Sequence, residues 1–264
     1  KLKDAAGWNQ VPADWRLTMS LNPEGCFAAV QNGQVVGTAV VVEYGKVLSW
    51  VGMVLVDPEY RGRGIGRKLM EQAIRRGKSR TRVVMLDAAA MGRPLYEKLG
   101  FRECGFPVRL VGTGGTGRKA PGVRSMRDSD MREITKLDRA VFGCDRSPLL
   151  DALRRRQPAL SLVLRKTGRI VAYCFGRDGS EFRQIGPVVA ETPQDAVTVA
   201  GHALAKIDEL PVLIDIIGSQ PVFSEFLIKS GFSVQRTFTR MYLGKMPVRS
   251  DGSRQFAAAG PEFG

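Results

Sequence analysis

The chain has very little histidine and cysteine, which excludes several kinds of active site. His202 is the only histidine among 264 residues, and nothing near it would complete a catalytic triad or a metal site. The cysteines lack the short paired spacing of zinc ligands and the density of a disulfide framework. We expect reduced, mostly buried thiols, no metal and no histidine-based catalysis. The cysteines are Cys26, Cys104, Cys144 and Cys174.

Long hydrophobic runs are missing as well. No stretch approaches the roughly 18 apolar residues that a membrane helix needs, and the first residues lack the apolar block of a signal peptide. The composition, 44% hydrophobic and 25% charged, is typical of a folded globular protein and excludes global disorder. We predict a soluble, cytoplasmic protein without a membrane partner, long enough for two small domains.

Acidic residues are few relative to basic ones. Lys and Arg number 40 and Asp and Glu 26, which gives a net charge of +14. Such a surplus favours a polyanionic partner: nucleic acid, an acidic membrane or a phosphorylated cofactor. The sequence has no stacking-aromatic pattern and no recognition helix, so nucleic acid is not expected as a partner. A phosphorylated cofactor remains, and one glycine-rich loop supports it.

The two halves of the chain are similar to each other. Val35 falls on Ile170, 135 residues later, and the matches continue in the same order, with small insertions, for about a hundred residues. A collinear series of this length predicts two copies of one fold in tandem. The matched segments are 35–38 with 170–173, Gly52 with Gly186, 84–87 with 212–215, and 99–101 with 230–232.

A glycine-rich stretch divides the two copies. Residues 111–122 include five glycines and one proline, which predicts a linker. Residues 1–110 then form the first domain and residues 123–247 the second. Residues 248–264 are polar and then rich in Ala and Gly, so they are predicted to be a flexible tail. Copy two opens with a strand-like segment, 123–126, and the equivalent first strand of copy one is expected to be missing.

Hydrophobic periodicity predicts a mixed α/β fold with helices packed on a central sheet. Residues 26–42 are typical of a hairpin around Asn32-Gly33. Residues 47–56 form a nearly all-apolar strand, which implies burial on both faces. An amphipathic helix follows over 64–77. The pattern continues with a strand at 82–86, a short helix at 93–99 and a final strand at 101–110.

The most informative segment joins the long strand to the amphipathic helix. A buried strand leads into a glycine-rich turn that opens a helix, so unpaired backbone N–H groups and the positive end of the helix dipole converge there. Glycines let an anion approach the backbone, and arginines add positive charge. The segment is therefore predicted to hold a diphosphate. Its glycines are Gly62, Gly64 and Gly66, and its arginines are Arg61, Arg63 and Arg67.

Three other interpretations fit this loop less well. A plain helix start would not need three arginines among three glycines. A Walker loop requires Gly-Lys-Ser/Thr at a fixed spacing, and no magnesium-binding hydroxyl stands there. A dinucleotide fingerprint would use Asp87, 21 residues beyond Gly66, as a ribose ligand. That fingerprint needs a third, helix-packing glycine and further βαβ units, which the sequence lacks.

These residues resemble the GNAT superfamily of acyl-coenzyme A dependent N-acetyltransferases. The family motif, Arg/Gln-x-x-Gly-x-Gly/Ala after a strand ending in Val-x-Pro, stands here at 61–66 after 56–58. A second family element, a short helix reading Leu-Tyr-x-x-Leu-Gly-Phe, stands at 95–101. The opening Ala-Gly-Trp-Asn-Gln at 6–10 is similar to a bacterial subgroup with two such domains. The resemblance implies a tandem duplicated GNAT-like fold with acetyl-CoA as co-substrate.

The resemblance also implies roles for individual residues. The backbone of Val54, Leu55 and Val56 would bind the pantetheine arm as a false strand. Gly52 would mark the bulge at which such sheets splay. Tyr96 would be the general acid that protonates the departing thiolate. The residues implied in coenzyme binding are Val54, Leu55, Val56, Arg61, Gly62, Arg63, Gly64, Ile65, Gly66 and Arg67.

The group that accepts the amine proton stays open at this point. Asp87 at a strand end, Glu43 near a hairpin and a chain of waters are all compatible with the sequence. Copy two lacks the chemistry, because its loop carries two acids and no glycine and Leu227 replaces Tyr96. We expect one coenzyme site per chain, in copy one, with copy two either shaping the acceptor pocket or supporting the packing.

The predicted activity is acetyl-CoA-dependent transfer of an acetyl group directly to an amine of a small-molecule acceptor. A protein or peptide acceptor would need an open groove, and it remains an alternative. A sensor that binds acyl-CoA without turnover is a second alternative. The sequence is also compatible with a homodimer.

Overall fold

A computed structural model describes residues 2–245 and 250–264. In these ranges no helix combines the length and the apolar character that crossing a bilayer requires. The helices are α1 (Leu2–Ala5), α2 (Pro12–Leu21), α3 (Ile65–Arg80), α4 (Arg93–Lys98), α5 (Met131–Phe142), α6 (Ser147–Arg156), α7 (Pro193–Leu204) and α8 (Pro221–Lys229). The strands are β1 (Cys26–Gln31), β2 (Gln34–Tyr44), β3 (Leu48–Val56), β4 (Val83–Ala88), β5 (Arg102–Gly105), β6 (Val108–Thr113), β7 (Val123–Ser125), β8 (Leu162–Lys166), β9 (Arg169–Arg177), β10 (Arg183–Ala190), β11 (Pro211–Ile216), β12 (Ser233–Thr237), β13 (Thr239–Gly244) and β14 (Gln255–Ala257).

The strands form two mixed sheets, one in each of two compact units. The first sheet has the order β1-β2-β3-β4-β13-β5, and the second β12-β6-β11-β14-β10-β9-β8-β7. The predicted duplication of a mixed α/β fold is confirmed. The second sheet ends on β7, and among the described residues the first sheet has no counterpart of β7 beside β1. Unit 1 comprises Lys1–Cys104, Thr239–Val248 and Pro261–Gly264; unit 2 comprises Gly105–Phe238 and Arg249–Gly260.

Each unit contains the last strand of the other copy. β6 pairs with β11 and β12 of unit 2, whereas β13 pairs with β4 of unit 1. The single final strand predicted at 101–110 is therefore two strands, β5 and β6, in different sheets. The domain boundary predicted at residue 110 moves to Cys104, and the one predicted at 247 lies outside the described residues. Alternation of apolar residues predicts a strand but does not say which sheet it joins.

The elements of unit 1 follow the predicted pattern closely. In the turn between β1 and β2, Asn32 has φ 51° and Gly33 has φ 74°, as a two-residue type I′ hairpin requires. Helix α3 packs over β2, where Ile65 and Leu69 would come within 3.2 and 3.0 Å of a Cβ on Gly37. The buried cluster between α3 and the sheet contains Val41, Val51, Met70, Ala73, Val84, Leu86, Ala88, Tyr96, Phe101 and Met241.

Strands β3 and β4 diverge and leave a cleft in unit 1. Their parallel pairing joins residues 48–50 to residues 83–85 and stops there. Beyond this point the edge of β3 that faces β4 has no strand partner among the described residues. Residues 51–56 therefore offer a strand edge to which an extended group can bind.

A β-bulge lies in β3 at the start of the cleft. The register between β2 and β3 shifts so that Met53 and Val54 lie opposite Ala39. Met53 has φ 50°, a conformation that side chains rarely adopt, and its carbonyl accepts a hydrogen bond from the Thr38 hydroxyl at 2.8 Å. The bulge predicted at Gly52 thus lies one residue later. Strained bulges next to strand divergences are frequent at active sites.

In unit 2 the corresponding cleft is filled by β14. Strands β10 and β11 pair in parallel over residues 183–185 and 212–214, and β14 then pairs with both of them through Ala257. The Ala258 N–H donates to the carbonyl of Asp215 at 2.9 Å, and Phe256 is fully buried. The tail predicted to be flexible is therefore a structural strand, because the cleft supplies backbone partners that the composition does not reveal.

The stretch predicted to be a linker is closely packed. A Cβ on Gly114 would lie 2.3 Å from the Asp208 carbonyl oxygen, and one on Gly117 1.9 Å from that of Gly201. The Ala120 N–H donates to Nδ1 of His202 at 3.1 Å. Glycine here allows close approach of two backbones rather than flexibility, and composition cannot separate these two uses.

Candidate functional site

The loop between β3 and α3 presents backbone donors to open space. Gly62 and Gly64 have φ 76° and 78°, and no side chain caps α3. Among the described residues, the N–H groups of 62–67 have no acceptor, and the first helical bond runs from Lys68 N–H to the Gly64 carbonyl at 3.0 Å. A Cβ at either glycine would meet no atom within 4 Å. Unpaired N–H groups at the positive end of a helix are suited to an anion.

The three arginines of this loop are exposed, and each contacts a neighbouring residue of the same segment. These contacts brace the loop while keeping three guanidinium charges around the helix N-terminus. The arrangement adds electrostatic attraction to the hydrogen-bond donors of the backbone. The contacts are Arg61 Nε to the Val56 carbonyl at 3.2 Å, Arg63 Nη2 to the Glu59 carbonyl at 3.1 Å, and Arg67 Nε to Glu71 Oε1 at 3.0 Å.

Gly66 has a different role from the other two glycines. A Cβ there would lie 3.5 Å from Val56 and 3.9 Å from Leu95, which are ordinary contact distances. Leu95 precedes Tyr96 on α4, so the start of α3 and the helix that carries Tyr96 lie side by side. The structure therefore brings the predicted anion loop and the predicted acid into one region of unit 1.

Tyr96 packs in the core of unit 1 beside the cleft. Its ring belongs to the buried cluster that includes Val51 of β3 and Leu86 of β4. A Cβ on Gly92 would come 2.9 Å from the ring and 3.0 Å from the hydroxyl, so glycine at 92 makes room for this ring. Burial raises the pKa of Tyr96 to about 12. The hydroxyl therefore keeps its proton at neutral pH and acts as a hydrogen-bond donor.

We expect the phenol of Tyr96 to ionise near pH 12 in the folded chain. Unfolding would expose it to water, where its pKa falls to about 10. The neutral phenol thus contributes stability that is present below about pH 10 and is lost as the pH rises toward 12. The difference in phenolate absorbance between the wild type and Tyr96→Phe measures this titration. A difference curve centred near pH 10 would contradict the burial of the ring.

The two carboxylates predicted as candidate bases are held in ion pairs. Both oxygens of Asp87 accept hydrogen bonds from the guanidinium of Arg240, each at 2.8 Å. Glu43 pairs with Arg76 at 2.6 Å and with Arg80 at 3.6 Å. Bidentate and doubly paired carboxylates are stabilised as anions by fixed partners. The structure therefore gives both residues a structural role within unit 1.

The pairing of Asp87 recurs in unit 2, where Asp215 and Arg109 make the same bidentate contact at 2.7 and 2.8 Å. Both arginines lie on the strands that are exchanged between the copies. Arg109 and Arg240 each stand eight residues beyond a Gly-Phe pair. This shared spacing is a signal in the sequence that could have identified the two pairs, because it places an arginine at the same point of both repeats.

The counterpart of the anion loop in unit 2 is closed by its own side chains. Thr192 caps α7 and accepts a hydrogen bond from the Asp195 N–H at 3.2 Å. The carboxylate of Asp195 also forms an ion pair with Lys166. Leu227, which aligns with Tyr96, is fully buried. The first turn of α7 thus carries a negative charge and a side-chain cap where α3 carries neither.

The segment Pro261–Gly264, which falls in the tail predicted to be flexible, packs on β3 in unit 1. Glu262 is 2% exposed and Phe263 is fully buried. The sequence Pro-Glu-Phe-Gly is too short to show a periodic pattern, and only its one aromatic residue favours burial. Three side chains of unit 1 hold the segment: Trp50 Nε1 donates to the Pro261 carbonyl at 2.8 Å, the Tyr44 hydroxyl to the Phe263 carbonyl at 2.8 Å, and Gln10 Nε2 to Glu262 Oε2 at 3.2 Å.

Two regions of the chain match models of the acetyltransferase (GNAT) domain, at residues 22–103 and 134–257. The chain is 29% identical over 238 residues to the uncharacterized N-acetyltransferase YitH of Bacillus subtilis, across 88% of this chain and 82% of that protein. It is 28% identical over 246 residues to the holothin acyltransferase of Pseudoalteromonas sp., across 92% and 83%.

A solved structure has the same fold over nearly the whole chain. It is a candidate acetyltransferase from Pyrococcus horikoshii with a TM-score of 0.83 and 22% identity, covering 96% of this chain and 84% of its own. Among the described residues, no group of three or more His, Cys, Asp or Glu is placed to hold a metal ion. With both copies matched and the fold shared, the chain is an acyltransferase that belongs to the GNAT superfamily and carries two GNAT domains in tandem.

Proposed function

We propose that the chain transfers an acetyl group from acetyl-CoA to an amine of a small-molecule acceptor, at a single site in unit 1. The observation that carries this proposal is the loop at 62–67, whose backbone N–H groups have no protein acceptor among the described residues. It lies at the end of β3, where the cleft between β3 and β4 is open. In unit 2 both features are absent, because β14 fills the cleft and Thr192 caps the helix.

The residues of unit 1 fit a coenzyme that ends in a thioester and carries a diphosphate. Val54, Leu55 and Val56 would hold the extended arm along the free edge of β3, as a strand holds its neighbour. The amides of 62–67 would hold the diphosphate, with the arginines around it. When bound, the coenzyme supplies an activated acyl group. These residues keep that group in a fixed place, and holding two reactants together lowers the barrier substantially.

The bulge and Tyr96 act on the charges that develop during transfer. Bulged residues leave part of the ladder unpaired, so the backbone around Met53 would donate to the developing oxyanion. Tyr96, with a pKa of about 12, holds its proton more tightly than a thiol with an ordinary pKa of about 8.5. Tyr96 would therefore stabilise the departing sulfur by donating a hydrogen bond while keeping its own proton, and the thiolate released from the site takes its proton from solvent.

The name of one relative favours a small-molecule acceptor over a protein acceptor. That relative is named for acyl transfer to holothin and aligns with 92% of this chain. The identity of the acceptor in the present chain is tested with a panel of primary amines, namely tyramine, spermidine, glucosamine and a lysine-containing peptide, with release of the coenzyme thiol as the signal. Turnover with the peptide alone would favour a protein acceptor. Coenzyme binding without thiol release with any amine would favour a sensor.

We expect one molecule of coenzyme A to bind per chain. Calorimetric titration should give a stoichiometry near one, because the cleft of unit 2 is occupied by β14 and the first turn of α7 is already capped by Thr192. A stoichiometry of two would contradict the assignment of a single site. Coenzyme A without its acetyl group is the suitable probe, since it cannot turn over during the titration.

A further inference from the structure

We propose that Thr38 is a positioning residue of unit 1, which turns one peptide group of β3 toward the acyl carbonyl of the coenzyme. This inference rests on the proposed function. Attack of an amine on a thioester places negative charge on the carbonyl oxygen, and a backbone N–H already aimed at that oxygen stabilises the charge. The N–H in question belongs to Val54, and the Thr38 hydroxyl on the neighbouring strand β2 fixes its direction.

The Thr38 hydroxyl holds the carbonyl of Met53. Oγ1 of Thr38 donates to this carbonyl at 2.8 Å, an ordinary distance for a bond between two oxygens. Thr38 itself pairs with Leu55 in the register of β2 and β3, so its side chain acts from a fixed place in the ladder. The side chain of Met53 is buried. The bulged residue is thus held at two points, its side chain and its carbonyl.

The direction of the Val54 N–H follows from the direction of the Met53 carbonyl. The two groups belong to one trans peptide, in which the C=O and the N–H point in opposite directions. Because the carbonyl points to Thr38 on β2, the N–H points away from β2. On that side of β3 the pairing with β4 has already ended, at Trp50 with Met85. The Val54 N–H is therefore directed to the open edge of β3.

The ladder between β2 and β3 does not fix this peptide. Neither Met53 nor Val54 has a partner in its register, and outside the ladders the Val54 N–H meets no backbone acceptor among the described residues. Met53 has φ 50°, a left-handed conformation that costs free energy in a residue with a side chain. A strained peptide without ladder partners depends on other contacts for its orientation, and the Thr38 hydroxyl supplies one at its carbonyl.

Unit 2 shows what the strand faces at this position. Val188 aligns with Val54, since Gly186 aligns with Gly52. Val188 pairs with Ala257 of β14, the strand that fills the cleft of unit 2. The same position of the strand therefore lies at the cleft in both units. In unit 2 it pairs with a strand of the chain, whereas in unit 1 no strand of the described ranges takes that place.

The hydroxyl contact accompanies the open cleft. Tyr173 aligns with Thr38, but its hydroxyl donates to the carboxylate of Asp138. Pro187 aligns with Met53 and cannot donate a backbone hydrogen bond. The contact between a hydroxyl of one strand and the bulge of the next is thus a property of unit 1 rather than of the fold that both copies share.

Two substitutions at position 38 test this role. Thr38→Val keeps the β-branched shape that suits a strand and removes the hydroxyl, whereas Thr38→Ser keeps the hydroxyl. Loss of an oxyanion donor typically costs about 10²–10³ in kcat, and here the donor stays but loses its orientation, so Thr38→Val should lower kcat about thirtyfold. Thr38→Ser should stay within about threefold of the wild type. The affinity for coenzyme A, which has no acyl carbonyl, should be unchanged in both by calorimetry.

Thr198→Val is the matched control. The Thr198 hydroxyl donates to the Gln194 carbonyl at 2.7 Å on α7 of unit 2, so this variant loses the same kind of bond away from the site. Its kcat in thiol release, with the best amine of the panel, should match that of the wild type. Thermal melting checks that each variant folds, and Thr38→Ala takes the place of Thr38→Val if the latter does not.

A second measurement observes the carbonyl itself and needs no turnover. The probe is the ketone analogue of acetyl-CoA in which a methylene group replaces the sulfur, labelled with ¹³C at the carbonyl carbon. A hydrogen bond to the oxygen moves this carbon resonance downfield. Bound to the wild type or to Thr38→Ser, the carbonyl should resonate downfield of the free ketone. Bound to Thr38→Val, its resonance should lie closer to that of the free ketone.

The outcomes separate this inference from the function on which it rests. A folded Thr38→Val that keeps at least about a third of the wild-type kcat overturns the role of Thr38, and so does a loss that Thr38→Ser also shows. Weaker binding of coenzyme A to folded Thr38→Val does the same, since it assigns the residue to binding. A wild type that binds coenzyme A and releases no thiol with any amine overturns the proposed function. The ketone signal then still decides the role of Thr38, because equal resonances in the wild type and Thr38→Val overturn it.

Discussion

Gly64→Glu should weaken the binding of coenzyme A by at least about a thousandfold, or about 4 kcal/mol. Gly64 has φ 78° and is followed by the N–H groups that open α3. A glutamate there would place a carboxylate among the donors proposed for the diphosphate, and like charges in close contact are strongly unfavourable. It would also strain the backbone at a left-handed position. Calorimetric titration with coenzyme A measures the effect directly.

Gly33→Glu is the matched control for this substitution. Gly33 has φ 74°, and a Cβ there also meets no atom within 4 Å, so the strain and the added charge are equivalent. It lies in the hairpin turn between β1 and β2 rather than in the anion loop. Both variants should lose roughly 1–2 kcal/mol of stability from the left-handed backbone, but only Gly64→Glu should lose the coenzyme. Equal affinity in the two variants would show that the loop does not hold the diphosphate.

Tyr96→Phe should lower kcat by about a thousandfold while leaving the affinity for coenzyme A unchanged. Loss of a positioned acid typically costs a hundredfold to ten-thousandfold, about 10²–10⁴. The ring would still fill its place in the cluster with Val51 and Leu86, so the fold should be retained. Only the donor to the departing sulfur is removed. Steady-state thiol release with the best amine of the panel gives kcat.

Tyr242→Phe is a suitable control, because Tyr242 lies on β13 within the same unit and is given no part in the reaction. Its kcat should match that of the wild type. Because burial raises the pKa of Tyr96 to about 12, the wild-type rate should show no loss due to this residue between pH 8 and 10. A Tyr96→Phe variant with more than a tenth of the wild-type kcat would remove Tyr96 from the mechanism.

The anion loop is the part of the site that sequence reasoning predicts best. Its information is local: a buried strand, glycines that permit positive φ and a helix start lie within a dozen residues. The structure accordingly gives left-handed conformations to Gly62 and Gly64. The third glycine, Gly66, has a different role. Its φ is not positive, and a Cβ there would lie 3.5 Å from Val56, an ordinary contact distance. Spacing alone does not distinguish glycine used for conformation from glycine used for proximity.

The carboxylates illustrate why a base could not be chosen from the sequence. Asp87 and Glu43 are both acids at the end of a strand, and topology alone places both near the cleft. Their availability depends on Arg240 and Arg76, which are distant in the chain. An ion pair between distant residues leaves no periodic trace in either segment. The repeat preserves the Asp–Arg pair in both units, and this spacing is the one indirect signal.

The sequence by itself determined the duplication and the mixed α/β class and placed the glycine-rich loop and Tyr96, because each depends on residues close together in the chain or on a repeat. The tertiary structure decided the exchange of β6 and β13, the filling of the unit 2 cleft by β14 and the position of Glu262. Those features depend on contacts between distant residues, such as Gln10 with Glu262, 252 positions apart. A strand binds whichever free edge the folded chain offers, and which edges are free is known only once the sheets have formed.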